Sequence, residues 1–155
     1  RRETREAVER AIAALPDPFR MPLVLKEIVD LPIADIAAIL GLRSATVKTR
    51  VHRGRLRLRR ELARALPQQD APPPQASRRV CLDLLEAKQE SLDRGVPFRV
   101  PQGDFCQRCR ALFATLDLAQ DTCARLGRGE IPGALRDALA AAFAAPPRPG
   151  ADSPP

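Results

Sequence analysis

The chain has 155 residues, 45% of them apolar, so it can bury a core, but five Phe with no Trp or Tyr keep that core aliphatic and modest. It carries 26 Lys and Arg against 19 Asp and Glu, for a net charge of +7, and no apolar run approaches the roughly 18 residues of a membrane helix. These features argue against a membrane protein and for a cytoplasmic one. A single histidine, with no phosphate-binding loop and no Ser/His/Asp set, argues against an enzyme.

In chain order, Ala7, Val8, Ala11, Ile12 and Leu15 predict a first amphipathic helix. Asp17 is placed to cap a second, with Pro18 at its first position and Phe19, Leu23, Leu25 and Ile28 as apolar surface. Pro22, one turn further in, is expected to bend or delay that helix. A third starts on Pro32, with Ile33, Ile36, Ala37 and Leu40 on one face, and Gly41 suits the left-handed residue just past its end. Ser44 is then expected to cap a fourth helix, whose stripe of Val47, Val51, Leu58 and Leu62 has Gly54 in line. Lys48, Arg50, Arg53, Arg55, Arg57, Arg59 and Arg60 fill its other faces, and no acidic residue occurs between Ser44 and Arg60. A packing helix, a tight turn and a basic helix make a helix-turn-helix, whose second helix enters the DNA major groove by its N-terminal end.

Residues 67–79 are polar and proline-rich, the composition of a linker. Val80, Leu84, Leu85 and Leu92 suggest a helix ending at Gly95, and a longer one is expected from about Asp104 to Leu126. A short alanine-rich helix is expected over 133–145, before a proline-rich tail. The predicted fold is all-α: a helix-turn-helix DNA-binding domain over 1–66, a linker over 67–79, a helical hairpin domain over 80–145 and a disordered tail over 146–155. Charge divides along the same line. Residues 1–66 hold 15 Lys and Arg against 8 Asp and Glu, whereas residues 67–155 hold 11 of each. A basic half beside a neutral one points to one nucleic-acid surface.

The string AIAALPDPFRMPLVLKEIVDLPIADIAAILGLRSATVKTRVHRGRLRLRREL, with its centre at DIAAILGL and TVKTRVHRGR, resembles region 4 of bacterial extracytoplasmic-function (ECF) sigma factors, and the resemblance covers about the first 66 residues. It implies promoter DNA and core RNA polymerase as partners and binding to the −35 promoter element. Because Arg1 is not a natural start, the promoter-melting region 2 of such factors is expected to precede this segment. By carry-over onto matching positions, Lys48, Thr49, His52 and Arg53 are candidates for base or near-base contacts. Arg43, Ser44, Thr46, Arg50 and Arg57 are candidates for phosphate contacts. A response-regulator output domain shares the TVKTRV-like string and stays open as an alternative. So does a protein-interaction module whose basic helix docks on another protein.

The four cysteines, Cys81, Cys106, Cys109 and Cys123, all lie in the second half. The CQRC pair at a helix start reads as a metal or redox pair, and Cys81 can close on the same point if two helices form a hairpin. Fourteen residues of continuous helix would set Cys123 roughly 21 Å beyond Cys109, in the core or in a separate interaction. CLDLLEAKQESLDRGVPF followed by QGDFCQRCRALFATL is similar to the zinc-binding anti-sigma domain, except that the family's histidine falls at Gln102. The resemblance implies one zinc, or another thiophilic metal, on Cys81, Cys106 and Cys109, completed by Asp104, Asp83 or water. A thiol redox switch and a metal-free hairpin stay open beside it. The extension is expected to regulate the helix-turn-helix, by an intramolecular contact that covers its DNA face; steadying the sigma fold and contacting polymerase stay open beside that.

Overall fold

The computed structural model describes residues 2–65, 72–99, 106–129, 133, 136–137 and 140–141. It is built from six helices: α1 (Arg2–Ala14), α2 (Asp17–Glu27), α3 (Ile33–Leu40), α4 (Ser44–Ala65), α5 (Arg78–Arg94) and α6 (Gln107–Gly127). No strand occurs among the described residues, so the all-α expectation holds there. The tail at 146–155 and most of 133–145 lie outside them, as do Gln102, Asp104 and residues 67–71 of the proline-rich stretch.

Helix α4, roughly 33 Å long, is the spine. One side of it supports α1 and α2 through a core of Val8, Ile12, Leu23, Val24, Leu58 and Leu62, each at most 2% exposed. The other side, nearer its start, supports α3 through Ile36, Val47 and Val51, with Met21 and Leu25 of α2 beneath. The stripe legible in the sequence is therefore the packing face, and the positive charge is left for the remaining surface.

The helix ends depart from the sequence reading in three places. The N-cap of α2 is Pro16 rather than Asp17, which is already helical and pairs with Arg20 at 3.0 Å. Pro22 does not delay α2, which begins five residues before it and runs on to Glu27 with Pro22 buried inside. Ser44 does not cap α4. The Arg43 carbonyl accepts from Val47 N–H, so Arg43 holds the N-cap position and Ser44 is the first helical residue. Other signals act as expected. Pro32 starts α3 without a side-chain cap, and Gly41 ends it at φ 65°. Ser77 caps α5, which Gly95 closes at φ 63°.

Arg20 has a role that periodicity does not reveal. Its guanidinium donates to the carbonyls of Ile12, Ala13 and Leu15, satisfying the open C-terminal end of α1.

Helix α6 joins two cores. Near its start, Cys109, Phe113 and Leu116 pack with Cys106 and with Cys81, Leu84 and Leu85 of α5. Near its end, Ala119, Cys123 and Leu126 enter the core of α1, α2 and α4. Cys123, 1% exposed, is thus a core residue well separated along α6 from the CQRC pair. Lys88 ties α5 to Asp117 of α6 and lies 5.5 Å from the centre of the Phe98 ring.

Candidate nucleic-acid interface

The turn between α3 and α4 sets the site. With Gly41 left-handed, Leu42 N–H reaches back to the Ala37 carbonyl, and the chain reverses in three residues before α4 begins. Val47 and Val51 are fully buried against α3, which fixes the rotation of α4 about its axis. The side chains between them are thereby turned outward. Arg43, Ser44, Thr49, Arg53 and Arg57 are exposed, while Thr46, Lys48, Arg50 and His52 are half-buried. The Thr49 hydroxyl donates to the Ala45 carbonyl. The Arg57 guanidinium sits 4.6 Å from the centre of the Phe19 ring, a cation–π contact that orients it along the flank of α4. The nine candidate DNA contacts thus fall on the first four turns of one helix and the residue preceding it.

Helix α5 lies across part of this surface. Lys48 is ion-paired with Glu90. His52 Nε2 is 2.7 Å from Asp93 Oδ2, and the Gln89 side-chain amide donates to the His52 carbonyl at 3.1 Å. Beneath them Arg55, 4% exposed, donates to Glu27 of α2 at 2.5 Å, to Asp93 at 2.7 Å and to the Gln89 side-chain oxygen at 3.0 Å. Its Nη2 is the single fully buried side-chain nitrogen or oxygen among the described residues with no hydrogen-bond partner. Burial pushes the Asp93 carboxyl up, but the His52 hydrogen bond and the Arg55 charge outweigh it and hold the group below the usual carboxylate range.

Sequence reasoning missed Arg55, Glu27, Gln89, Glu90 and Asp93 as site residues. Arg55 looked like one more cation on a basic face, and the acids of α5 looked like ordinary surface charge. The available signal was the i, i+4 spacing of Gln89 and Asp93 beside the apolar Leu92.

The thiols form a separate cluster. All four cysteines are free. Backbone N–H groups, first that of Gln75, lower the Cys106 thiol to about 7. Burial, then the neighbouring Cys106 and Cys81 thiols, raise Cys109 to about 12. Cys81, Cys106 and Cys109 are therefore brought together, as the spacing suggested. Asp83 is exposed. Among the described residues no group of three or more His, Cys, Asp or Glu is arranged to hold a metal ion. No helix among them is long and apolar enough to cross a membrane.

A three-residue turn between two packed helices, the second of them basic, gives α3 and α4 the geometry of a helix-turn-helix. Residues 5–58 match the family described as sigma-70, region 4. Over 60 residues the chain is 43% identical to the ECF RNA polymerase sigma factor SigW of Bacillus subtilis (strain 168), covering 39% of this chain and 32% of that protein. Over 57 residues it is 42% identical to the ECF RNA polymerase sigma factor SigE of Mycolicibacterium smegmatis (strain ATCC 700084 / mc(2)155), covering 37% of this chain and 22% of that protein. The chain thus spans about a third of the first relative and about a fifth of the second. No solved structure matches it. The N-terminal part is thus similar to region 4 of sigma factors and is followed by an additional helical segment.

Proposed function

We propose that this chain is the promoter-reading part of an ECF RNA polymerase sigma factor, working in the cytoplasm with core RNA polymerase. In this reading α4 enters the major groove at the −35 element. Arg53, Lys48, Thr49 and His52 face base edges, and Arg43, Ser44, Thr46, Arg50 and Arg57 face phosphates. One observation carries it: the stretch that matches sigma-70 region 4, residues 5–58, is the stretch that folds as a helix-turn-helix with its basic side outward. The test is binding of the full chain to promoter-derived duplexes across a salt series. Affinity should fall steeply with ionic strength through counterion release and depend on sequence. Sequence-independent binding, or none, would reject it.

The segment after residue 66 acts in this reading as a regulator. Its chemical handle is the trio Cys81, Cys106 and Cys109, responding to a thiophilic metal such as zinc or to thiol oxidation. Support comes from the convergence of Cys81 and Cys106 on Cys109. Metal content per chain after reducing, anaerobic purification, compared with Cys106→Ser and Cys109→Ser, separates these cases. About one metal per chain, lost in both variants, identifies a metal site; four free thiols and no metal leave a redox switch or a metal-free hairpin.

A second reading has one observation in its favour. The basic helix already engages acidic groups of a protein helix, through Glu90 and Asp93, so its face is competent to dock on protein. A chain that binds no duplex at low salt yet is retained on an acidic helical peptide would support it.

A further inference from the structure

We propose that α5 is a built-in competitor for DNA: its carboxylates occupy, on α4, positions that nucleic-acid phosphates and base edges would take, and duplex binding requires α5 to lift away. The inference rests on the reading of α4 as the DNA-contacting helix.

Placement comes first. Of the four candidate base-contacting residues, Lys48 and His52 are engaged by Glu90 and Asp93, and the His52 backbone carbonyl is engaged by Gln89. Thr49 and Arg53, on the adjoining side of the helix, are exposed. One edge of α5 therefore engages two of the four candidate base-contacting residues, and it does so with carboxylates, the side-chain groups closest in charge and acceptor geometry to phosphate.

Reversibility follows from how α5 is held. Toward α4 it offers polar groups: Glu90, Asp93 and Gln89. Much of its apolar surface is directed elsewhere, Leu84 and Leu85 packing with Cys106, Cys109 and Phe113 beside α6. Leaving α4 thus exchanges ion pairs and hydrogen bonds for contacts to water or phosphate, without opening the region-4-like core. The Lys48–Glu90 pair is already about 40% exposed on each side, where water and salt weaken it.

Arg55 makes the open state tolerable. It would lose Asp93 and Gln89, but its bond to Glu27 lies within α2 and α4 and stays. No unpaired buried cation is left behind, and Asp93 goes to solvent as an ordinary carboxylate. With binding competent in the open form alone, apparent affinity falls by the fraction of chains that are open.

The test uses the full chain, a random-sequence duplex pool and the duplexes it enriches, comparing wild type with Glu90→Gln, Asp93→Asn and the double variant. None of these positions is assigned to DNA, and helix content by circular dichroism reports folding. The expected result is tighter binding in the variants, by about ten-fold or more in the double variant. Equal affinity in folded variants overturns the competitor and leaves the DNA reading standing. No binding by any of them at low salt overturns the DNA reading itself. Should Asp93→Asn fail to fold, Glu90→Gln on the surface carries the test. A second readout is independent of substitution. Duplex should slow amide exchange over residues 44–53 and speed it over residues 78–94; protection of the first with no change in the second overturns the proposal.

Discussion

His52 Nε2 and Asp93 Oδ2 lie 2.7 Å apart, joining the middle of the basic helix to the last turn of α5. The other oxygen of the same carboxylate takes Arg55 at 2.7 Å, so a single side chain from α5 binds a reading-face residue and a buried one at once. Asp93 is 6% exposed, deep enough for its charge to matter and close enough to the surface to be released.

Asp93 gives the pairing a definite pH dependence. Its folded-state pKa is lowered below 3.8, because the His52 hydrogen bond and the Arg55 charge outweigh the effect of burial. A depressed carboxylate adds stability that is fully present above its unfolded value and is lost as pH falls through its folded value. Thermal midpoints of wild type and Asp93→Asn should therefore differ by a constant amount from neutrality down to about pH 4, then converge in stronger acid. A gap that stays constant through that range would show that Asp93 is not held as an ion.

Arg55 is expected to be the most sensitive charged residue of the chain. Removing it leaves Glu27 and Asp93, both 5–6% exposed, facing each other with no cation between them. Breaking a buried ion pair on one side costs about 3–5 kcal/mol, so Arg55→Ala should lower urea stability by that order. Arg64→Ala, which breaks only the exposed pair with Glu61, should cost less than about 1 kcal/mol. Similar losses in both would mean that the buried network is not closed as described.

These two predictions concern residues that the sequence hid. Helices α1 to α4 were legible because Val8, Ile12, Ile36, Val47, Val51, Leu58 and Leu62 repeat at helical spacing and all became core. Gly41 and Gly95 were legible because left-handed backbone has few other occupants. Helix length separated Cys123 from the CQRC pair, and the structure then places it in the core rather than in a separate interaction. Arg55 was not legible: a cation among eight on one helix is told apart only by Glu27 and Asp93, 28 and 38 residues away. Asp30 at φ 62°, closing the turn after α2, was equally silent, since aspartate tolerates that conformation without requiring it. The delay expected at Pro22 does not occur, because a buried proline near a helix start loses one hydrogen bond while the packing around it holds the helix together.

Arg53 is exposed on the reading face, clear of the α5 contacts made by Lys48 and His52. Its fork can take guanine O6 and N7 together. Arg53→Ala should weaken binding to an enriched duplex by about 1–3 kcal/mol while changing random-duplex affinity little. Arg43→Ala should instead weaken both equally and reduce the salt slope by about one unit, the behaviour of a phosphate contact. Competition binding at two salt concentrations distinguishes the pair, and a uniform loss in Arg53→Ala would move that residue to the phosphate group.

The thiols should titrate apart. In reduced, chelator-treated protein, alkylation of Cys106 should rise with pH around a midpoint near 7, because backbone N–H groups favour its thiolate. Cys109 and Cys123, both raised to about 12 chiefly by burial, should resist until the fold opens. The midpoint rather than the speed is diagnostic, since Cys106 is itself 6% exposed. Peptide mapping after alkylation reads each site, and a Cys106 midpoint near that of a free thiol would remove the case for a poised residue there.

Two glycines test whether α6 docks where it is placed. At Gly127, a Cβ would stand 2.0 Å from the Ile28 carbonyl oxygen and 3.1 Å from its carbon, backbone atoms that cannot rotate aside. Gly127→Ala must therefore push the end of α6 off α2, at a cost of about 1–3 kcal/mol. At Gly54, the nearest atoms to a Cβ are Leu23 Cβ at 3.4 Å and the Phe19 oxygen at 3.5 Å, ordinary contact distances. Gly54→Ala should be neutral or should gain up to about 1 kcal/mol from helix propensity. Urea melts of the two variants should thus move in different directions. If Gly127→Ala leaves stability unchanged, the C-terminal helix does not rest on the region-4-like core, and the burial of Cys123 and Leu126 beside Val8 and Leu62 would have to be abandoned with it.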